Sequence, residues 1–251
     1  MPSMKVRFSD LPKILLFNFS KILIINFCIF FCQSADSASP ANTPQIRCDQ
    51  IPQNDLQVGD LIFSEIDNFL YRRVARASGG WVSHVGIIHQ DADKNWVVYE
   101  SRPPLSVRTP LCDFVERNSE GRIALSRLND RKIIGPLQEK QMQESAERRL
   151  KKRYDLWFNY DSRKSTFCSK FVDAVFKESI GIDVGSIEAL DRLFKNIENS
   201  ATAVGDVKFW KTWFFGRIPW KQRTLSPQSQ LEDPDFHVWF DSKNLAPINF
   251  N

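Results

Sequence analysis

The chain of 251 residues is poor in the residues on which several chemistries depend. It has three histidines and five cysteines, and its 34 basic and 30 acidic residues are scattered rather than gathered in runs. A net charge of +4 spread this thinly leaves no electrostatic footprint for a phosphate backbone, which speaks against nucleic-acid binding. Internal repeats and low-complexity tracts are absent, so nothing points to a solenoid or an array. His84 and His89 share the run "SHVGIIHQ", five residues apart. In a regular strand they project to opposite faces, and the pairing that would suggest a metal site dissolves. No metal or organic cofactor is expected.

What is present begins with an unusual N-terminus. Lys5, Arg7 and Lys13 precede "ILLFNFSKILIINFCIFFC", whose dense apolar part, Ile22 to Cys32, has the length of a signal-peptide core and is short for a membrane span. "QSADSASPANTP" follows, small, polar and proline-containing. Residues 1–37 therefore read as a signal peptide, with Ala35 and Ser37 or Asp36 and Ala38 as imperfect cleavage pairs. Phe31 before Cys32 argues against a lipoprotein. The alternative is an uncleaved anchor reaching back to Ile14. Residues 38–54 read as a linker, and residues 55–251 as the functional domain, exported to a periplasmic or secreted location. Cleavage would remove four basic and two acidic residues, leaving a charge near +2, and would leave Cys48, Cys112 and Cys168. An odd count in an oxidising compartment allows one pair and one free thiol. The expected pair is Cys48–Cys112, with Cys168 free.

Along the mature chain, "LQVGDLIFSEI" gives a turn and a strand over 61–64. "NFLYRRVARAS" reads as a helix closed by Gly79-Gly80. "SHVGIIHQ" and "NWVVYES" form a hairpin, with "LSVRT" and "RIALSRL" as further strands. "LQEKQMQESAERRLKKR" is a charged helix after Gly135-Pro136, and "SIEALDRLFKNIEN" is another helix. "TLSPQSQLEDPDFHVWFD" suggests a capped short helix and a closing strand. This order predicts an α+β fold without a second domain.

Cys168 stands in "STFCSKFVDAVF", where Phe171, Val172, Val175 and Phe176 recur at helical spacing as an anchoring face. A cysteine on such a face is ordinarily a small buried hydrophobe. Capping by Ser165 or Thr166, however, would place this thiol in the first helical turn. There the free N–H groups and the positive dipole end favour thiolate, and the Cys168 N–H could serve a developing oxyanion. A nucleophile of this kind needs a base. His84 begins a strand beside Gly86, where a partner strand can approach closely. A hairpin turn centred on Ala92 sets His84 opposite Glu100, and a turn shifted by one residue makes them diagonal neighbours. A carboxylate there would hold the imidazole's tautomer. The plain alternatives are a structural histidine and a solvated strand-end carboxylate.

Together, "LQVGDLIF", "SHVGI", "VVYES" and "YDLWFNYDSRKSTFCSKFVDAVF" resemble the circularly permuted papain-fold enzymes of the YiiX/YaeF-like group, relatives of NlpC-type cell-wall peptidases. The likeness runs from Leu56 to Asp183, with an echo in "TLSPQSQLEDPDF". It implies an antiparallel sheet packed against helices with the nucleophile at a helix N-terminus, and a histidine strand that precedes the cysteine helix. It further implies Cys168 as nucleophile, His84 as base, Glu100 as the group orienting it, and Tyr154 as a tyrosine binding the substrate carbonyl or its oxyanion. Lys170 stands where the family usually has glutamate in "CSEL", which raises a change of charge towards substrate if it faces the cleft.

The resulting expectation is a thiol hydrolase that cleaves a peptide, cell-wall or lipid-linked amide. One rival is a lipid acyl hydrolase or acyltransferase, because "FWKTWFFGRIPW", Phe209 to Trp220, suits a membrane interface. Its plain reading is a core segment. Another rival is a catalytically silent binding module of the same fold.

Overall fold

The computed structural model describes residues 46–118, 121–130, 133–198 and 203–245. The expected signal peptide over 1–37 and the first part of the expected linker, 38–45, lie outside the described residues. Leu61–Ser64, an apolar run buried at every position, forms strand β1 in the middle of a six-stranded antiparallel sheet. It pairs on one side with β2 (His84–Gln90) and on the other with β5 (Ile123–Leu128). β3 (Trp96–Ser101) and β4 (Ser106–Pro110) extend the sheet beyond β2, while β10 (Phe236–Asp241) closes the far edge against β5.

Alternation along these strands divides the core between two faces. Leu61, Phe63, Val85, Ile87 and Val97 meet Phe171, Val172, Val175 and Phe176 of a helix over Cys168–Ile180. Burial of each of these four helix side chains contributes roughly 1.5–3 kcal/mol. Met142 and Ala146, from a helix over Pro136–Arg148, join the same cluster. Ile62, Ile88, Val98 and Leu125 face the other way, onto Leu111, Phe114 and Val115 of a short helix over Leu111–Arg117. The described helices are numbered in chain order as α1 (Phe69–Ala77), α2 (Leu111–Arg117), α3 (Pro136–Arg148), α4 (Cys168–Ile180), α5 (Leu190–Glu198), α6 (Ala203–Trp213) and α7 (Pro227–Leu231). The architecture is α+β, an antiparallel sheet covered by helices.

A third cluster joins α1, α5 and α6 through Leu70, Leu193, Phe194, Ile197, Trp210 and Phe214. The aromatic segment from Phe209 to Trp220 is therefore divided: Trp210, Phe214 and Ile218 are buried. Phe215, at 78% exposure, and Trp220, at 47%, reach solvent.

Several local expectations change. The β2–β3 turn is centred on Asp93, because the Asp91 carboxylate accepts hydrogen bonds from the N–H groups of Asp93 and Asn95 and Lys94 turns left-handed (φ 65°). Gly86 consequently lies opposite Glu100, and Gln90 opposite Trp96. His84 becomes the diagonal neighbour of Glu100 and keeps the same face, since the register moves by two. At Gly86 a β-carbon would sit 2.4 Å from Val98 Cγ1 and 3.2 Å from the Tyr99 carbonyl oxygen, so no side chain fits.

Helix α4 is capped by Phe167, with no side-chain hydrogen bond. Ser165 and Thr166 belong instead to β7, paired in parallel with β6 (Arg153–Tyr154). Ile187–Ala189, expected as helix, forms β8 against β9 (Arg223–Leu225), and α5 starts only at Leu190. From Ile46 onward the expected linker is packed: Ile46 and Ile51 are buried in the α2 cluster, and Cys48 is disulfide-bonded to Cys112 on α2.

Candidate active site

Glu100 is fully buried, so its charge must be met by partners rather than by water. His84 Nε2 lies 2.6 Å from one carboxylate oxygen. Thr109, on β4, donates its hydroxyl to the other at 2.6 Å. Arg117, at the end of α2, donates from Nη2 to both oxygens at 2.9 and 2.8 Å. Arg102 Nε stands 3.6 Å away. Burial works against the ionised carboxylate, yet the His84 hydrogen bond and charge, with Arg117 and Thr109, hold its pKa down to about 2.

The His84 ring is as enclosed as the carboxylate. Phe114 stacks on it at 5.8 Å between centroids, and Tyr71 of α1 meets it edge-on at 6.0 Å. Burial disfavours the charged ring, but the Cys168 thiol and Glu100 outweigh it and push the imidazole up to about 9. With Nε2 committed to Glu100, Nδ1 is the nitrogen left for the thiol, and it makes no hydrogen bond.

Cys168 is the first residue of α4 and is 3% exposed. It is the free cysteine among the described residues. No acidic residue sits in the first turn of α4, and its cap contributes no side-chain bond. The N-terminal N–H groups therefore remain available to an anion at this end of the helix. The parallel pairing of β6 with β7 sets Tyr154 beside Thr166, two residues before Cys168. Tyr154 is half-buried as a residue, with its phenol enclosed next to the thiol. Burial, and then the negative influence of Cys168 and Tyr71, raise its pKa well above the ordinary value, so it stays an O–H donor. Cys168 also borders a pocket that opens to solvent and is lined largely by apolar side chains. The structure thus brings all four residues singled out in the sequence, Cys168, His84, Glu100 and Tyr154, into one place.

The profile of the family described as "permuted papain-like amidase enzyme, YaeF/YiiX, C92 family" matches residues 55–238. The chain belongs to this family. No curated protein matches the sequence closely enough to count as a relative. Among solved structures, the chain is similar to the metalloprotein yiiX from Escherichia coli O157:H7, with 22% identity and a TM-score of 0.63 over 73% of this chain and 96% of that one. This likeness shows the permuted papain-like fold. The YaeF/YiiX family is named for amidase activity, which makes hydrolysis the general chemistry of the chain.

That relative is described as a metalloprotein, but the donor set here does not fit a metal. Among the described residues no group of three or more His, Cys, Asp or Glu could hold an ion. Both oxygens of Glu100 are engaged, with two guanidinium groups at or near contact that oppose a further cation.

The family pattern did not point to Tyr71, Thr109, Phe114 or Arg117. Leu111, Phe114 and Val115 follow the i, i+3, i+4 spacing of a helix, which would have exposed α2 and placed Arg117 one turn beyond Phe114. Lys170, which departs from the family's "CSEL", is half-buried and donates to the carbonyls of Ser162, Ser165 (3.3 Å) and Asn159 (3.5 Å). It does not line the cavity.

Proposed function

We propose that the protein is an exported cysteine amidase whose nucleophile is Cys168. The Cys168 thiolate attacks the amide carbonyl carbon, and the developing oxyanion meets the Cys168 N–H and the Tyr154 hydroxyl. The C–N bond breaks as the His84 imidazolium gives its proton to the leaving amine, and an acyl-thioester remains. Water then attacks the thioester, passing a proton through His84 to regenerate the thiol. Glu100 holds the ring by Nε2 and stabilises its charge. The observation that carries this reading is the buried His84–Glu100 pair at 2.6 Å together with a free thiol as the first residue of an uncapped helix. Export is supported by the Cys48–Cys112 disulfide, a bond that persists in oxidising compartments. The substrate is an amide of the peptide, cell-wall or lipid-linked type.

Incubation with an envelope extract, acid quenching and intact-mass analysis should reveal an acyl adduct on the peptide that contains Cys168. An adduct confined to other residues would refute the assignment.

Peripheral membrane contact belongs to the same proposal, through the exposed Phe215 and Trp220 and not the buried Trp210. The mature protein should pellet with anionic vesicles, and Phe215→Asp with Trp220→Asp should leave it in the supernatant. Equal pelleting of both proteins would dismiss the contact.

A further inference from the structure

We infer that the Cys48–Cys112 bridge is an activation switch: closing it fastens α2 against the His84–Glu100 pair, and only the bridged protein is a competent amidase. The inference rests on the amidase reading and names how that site is regulated. Helix α2 touches both members of the pair. Its Phe114 stacks on the His84 ring at 5.8 Å, and its Arg117 donates to both oxygens of Glu100 at 2.9 and 2.8 Å. The Arg117 guanidinium lies 5.1 Å from the centre of the Phe114 ring, so the two side chains also hold each other. A slip of α2 would therefore loosen the base and strip a cation from the carboxylate in one movement.

The helix is weakly held by its own backbone. It has seven residues, and its N-cap, Pro110, supplies no side-chain hydrogen bond. A helix this short does not persist without tertiary support. Part of that support is the segment 46–51, whose Ile46 and Ile51 are buried in one cluster with Leu111, Phe114 and Val115. Among the described residues no hydrogen bond or ion pair joins this segment to α2. Arg47 bonds within the segment, to Asp49 and Gln50, and Gln53 donates to the Cys48 carbonyl at 3.3 Å. The bridge is thus the directional tie between two stretches 64 residues apart, and it enters α2 two residues before Phe114. Cys112 is exposed and Cys48 half-buried, within reach of a soluble thiol or disulfide. Closure is a two-electron oxidation, Cys48–SH + Cys112–SH + R–S–S–R → Cys48–S–S–Cys112 + 2 R–SH, with a disulfide as oxidant, and a dithiol reverses it. A chain in a reducing compartment would hold α2 loosely and stay silent, and the site would assemble after export.

Two readouts separate the switch from the amidase reading. The first needs no substrate: the ring ¹⁵N resonances of His84 are followed against pH in the mature protein, before and after reduction by dithiothreitol. Circular dichroism fixes a temperature at which both forms are folded. The groups facing the ring are Cys168 of α4, Glu100 of β3 and Tyr71 of α1, with Arg117 of α2 and Arg102 beside Glu100. In the bridged form the ring should titrate at about 9. In the reduced form, water entering past Phe114 weakens each of these influences, and the midpoint should move back towards 6.5. An unchanged midpoint overturns the switch. The second readout is turnover of N-acyl p-nitroanilides from acetyl to decanoyl. It should fall about 100-fold on reduction, the scale of a misplacement of about 1 Å, and return on reoxidation with trans-4,5-dihydroxy-1,2-dithiane. Cys48→Ser with Cys112→Ser should match the reduced form and ignore dithiothreitol. Arg117→Met keeps the bridge while removing one of the contacts it secures. It should lower kcat about tenfold or more with KM near wild type, and Arg117→Lys should recover part of the loss. Wild-type kcat in Arg117→Met, or Cys168-dependent turnover that survives reduction, overturns the switch alone. A midpoint that moves on reduction, without Cys168-dependent turnover in either form, supports the fastening of α2 and overturns the amidase.

Discussion

Replacing Cys168 with alanine should lower amide turnover by about 10⁴-fold or more, the scale seen when a covalent nucleophile is lost. The reason is local. Without sulfur there is no thioester, and the free N–H groups at the head of α4 have only the substrate to polarise. Alkylation by iodoacetamide should vanish in the same variant. The matching control is the double variant Cys48→Ser, Cys112→Ser, because removing one partner of a disulfide exposes the other thiol to the reagent. That control should keep its Cys168 labelling and lose stability. In the chain-entropy picture, a bridge spanning 64 residues contributes about 4 kcal/mol. Turnover by Cys168→Ala within about tenfold of wild type would remove this cysteine from the chemistry.

The second large effect is expected for Glu100→Gln, at about 10³- to 10⁴-fold in kcat. An amide can occupy the same space but cannot hold a positive ring beside it. His84 is raised from 6.5 to about 9 partly by Glu100, so wild-type activity should fall as the pH rises through about 9, where the imidazolium that protonates the amine is lost. In the variant this basic limb should move to lower pH. A merely structural role for Glu100 would reduce activity without moving the limb, so the profile discriminates. Stability follows the same pair. The part due to His84 is complete below pH 6.5 and lost as the pH climbs through about 9. The part due to Glu100, lowered from 4.5 to about 2, is complete above pH 4.5 and lost as the pH falls through about 2. Thermal midpoints of the wild type should therefore be highest between about pH 4.5 and 6.5 as far as this pair decides, and the dependence should flatten in Glu100→Gln. Removing the carboxylate also strands Arg117, so a loss of about 3–5 kcal/mol is expected.

Much of this was legible before any coordinates. Strands β1 to β5 announce themselves by short apolar runs between turn residues, and α4 by the spacing of Phe171, Val172, Val175 and Phe176. Burial of one face is a strong signal and a local one. Cys168, His84 and Glu100 were raised by helix position and hairpin register, with plainer readings left open, and the family pattern then gave them roles and added Tyr154. The hairpin register was not reached, because it depends on how many residues Asp91 and Lys94 draw into the turn, a matter of a few hydrogen bonds. Arg117 and Thr109 escaped for a different reason. A buried carboxylate collects partners from whatever chain passes nearby, here β4 and α2, and no spacing along the sequence encodes that meeting. Helix α2 was also screened by its polar neighbours and its brevity, so nothing drew attention to Arg117.

Lys170 shows how a departure from the family pattern is absorbed. Its ammonium is spent on three main-chain oxygens of the segment 159–165, and the side chain does not line the cavity beside Cys168. A lysine-to-glutamate exchange at this site would put a carboxylate in the first turn of α4, beside the N–H groups that an anion uses. It would also unfasten the stretch of backbone that leads into the reactive helix, so that what looks like a change of taste is in part a change of scaffolding.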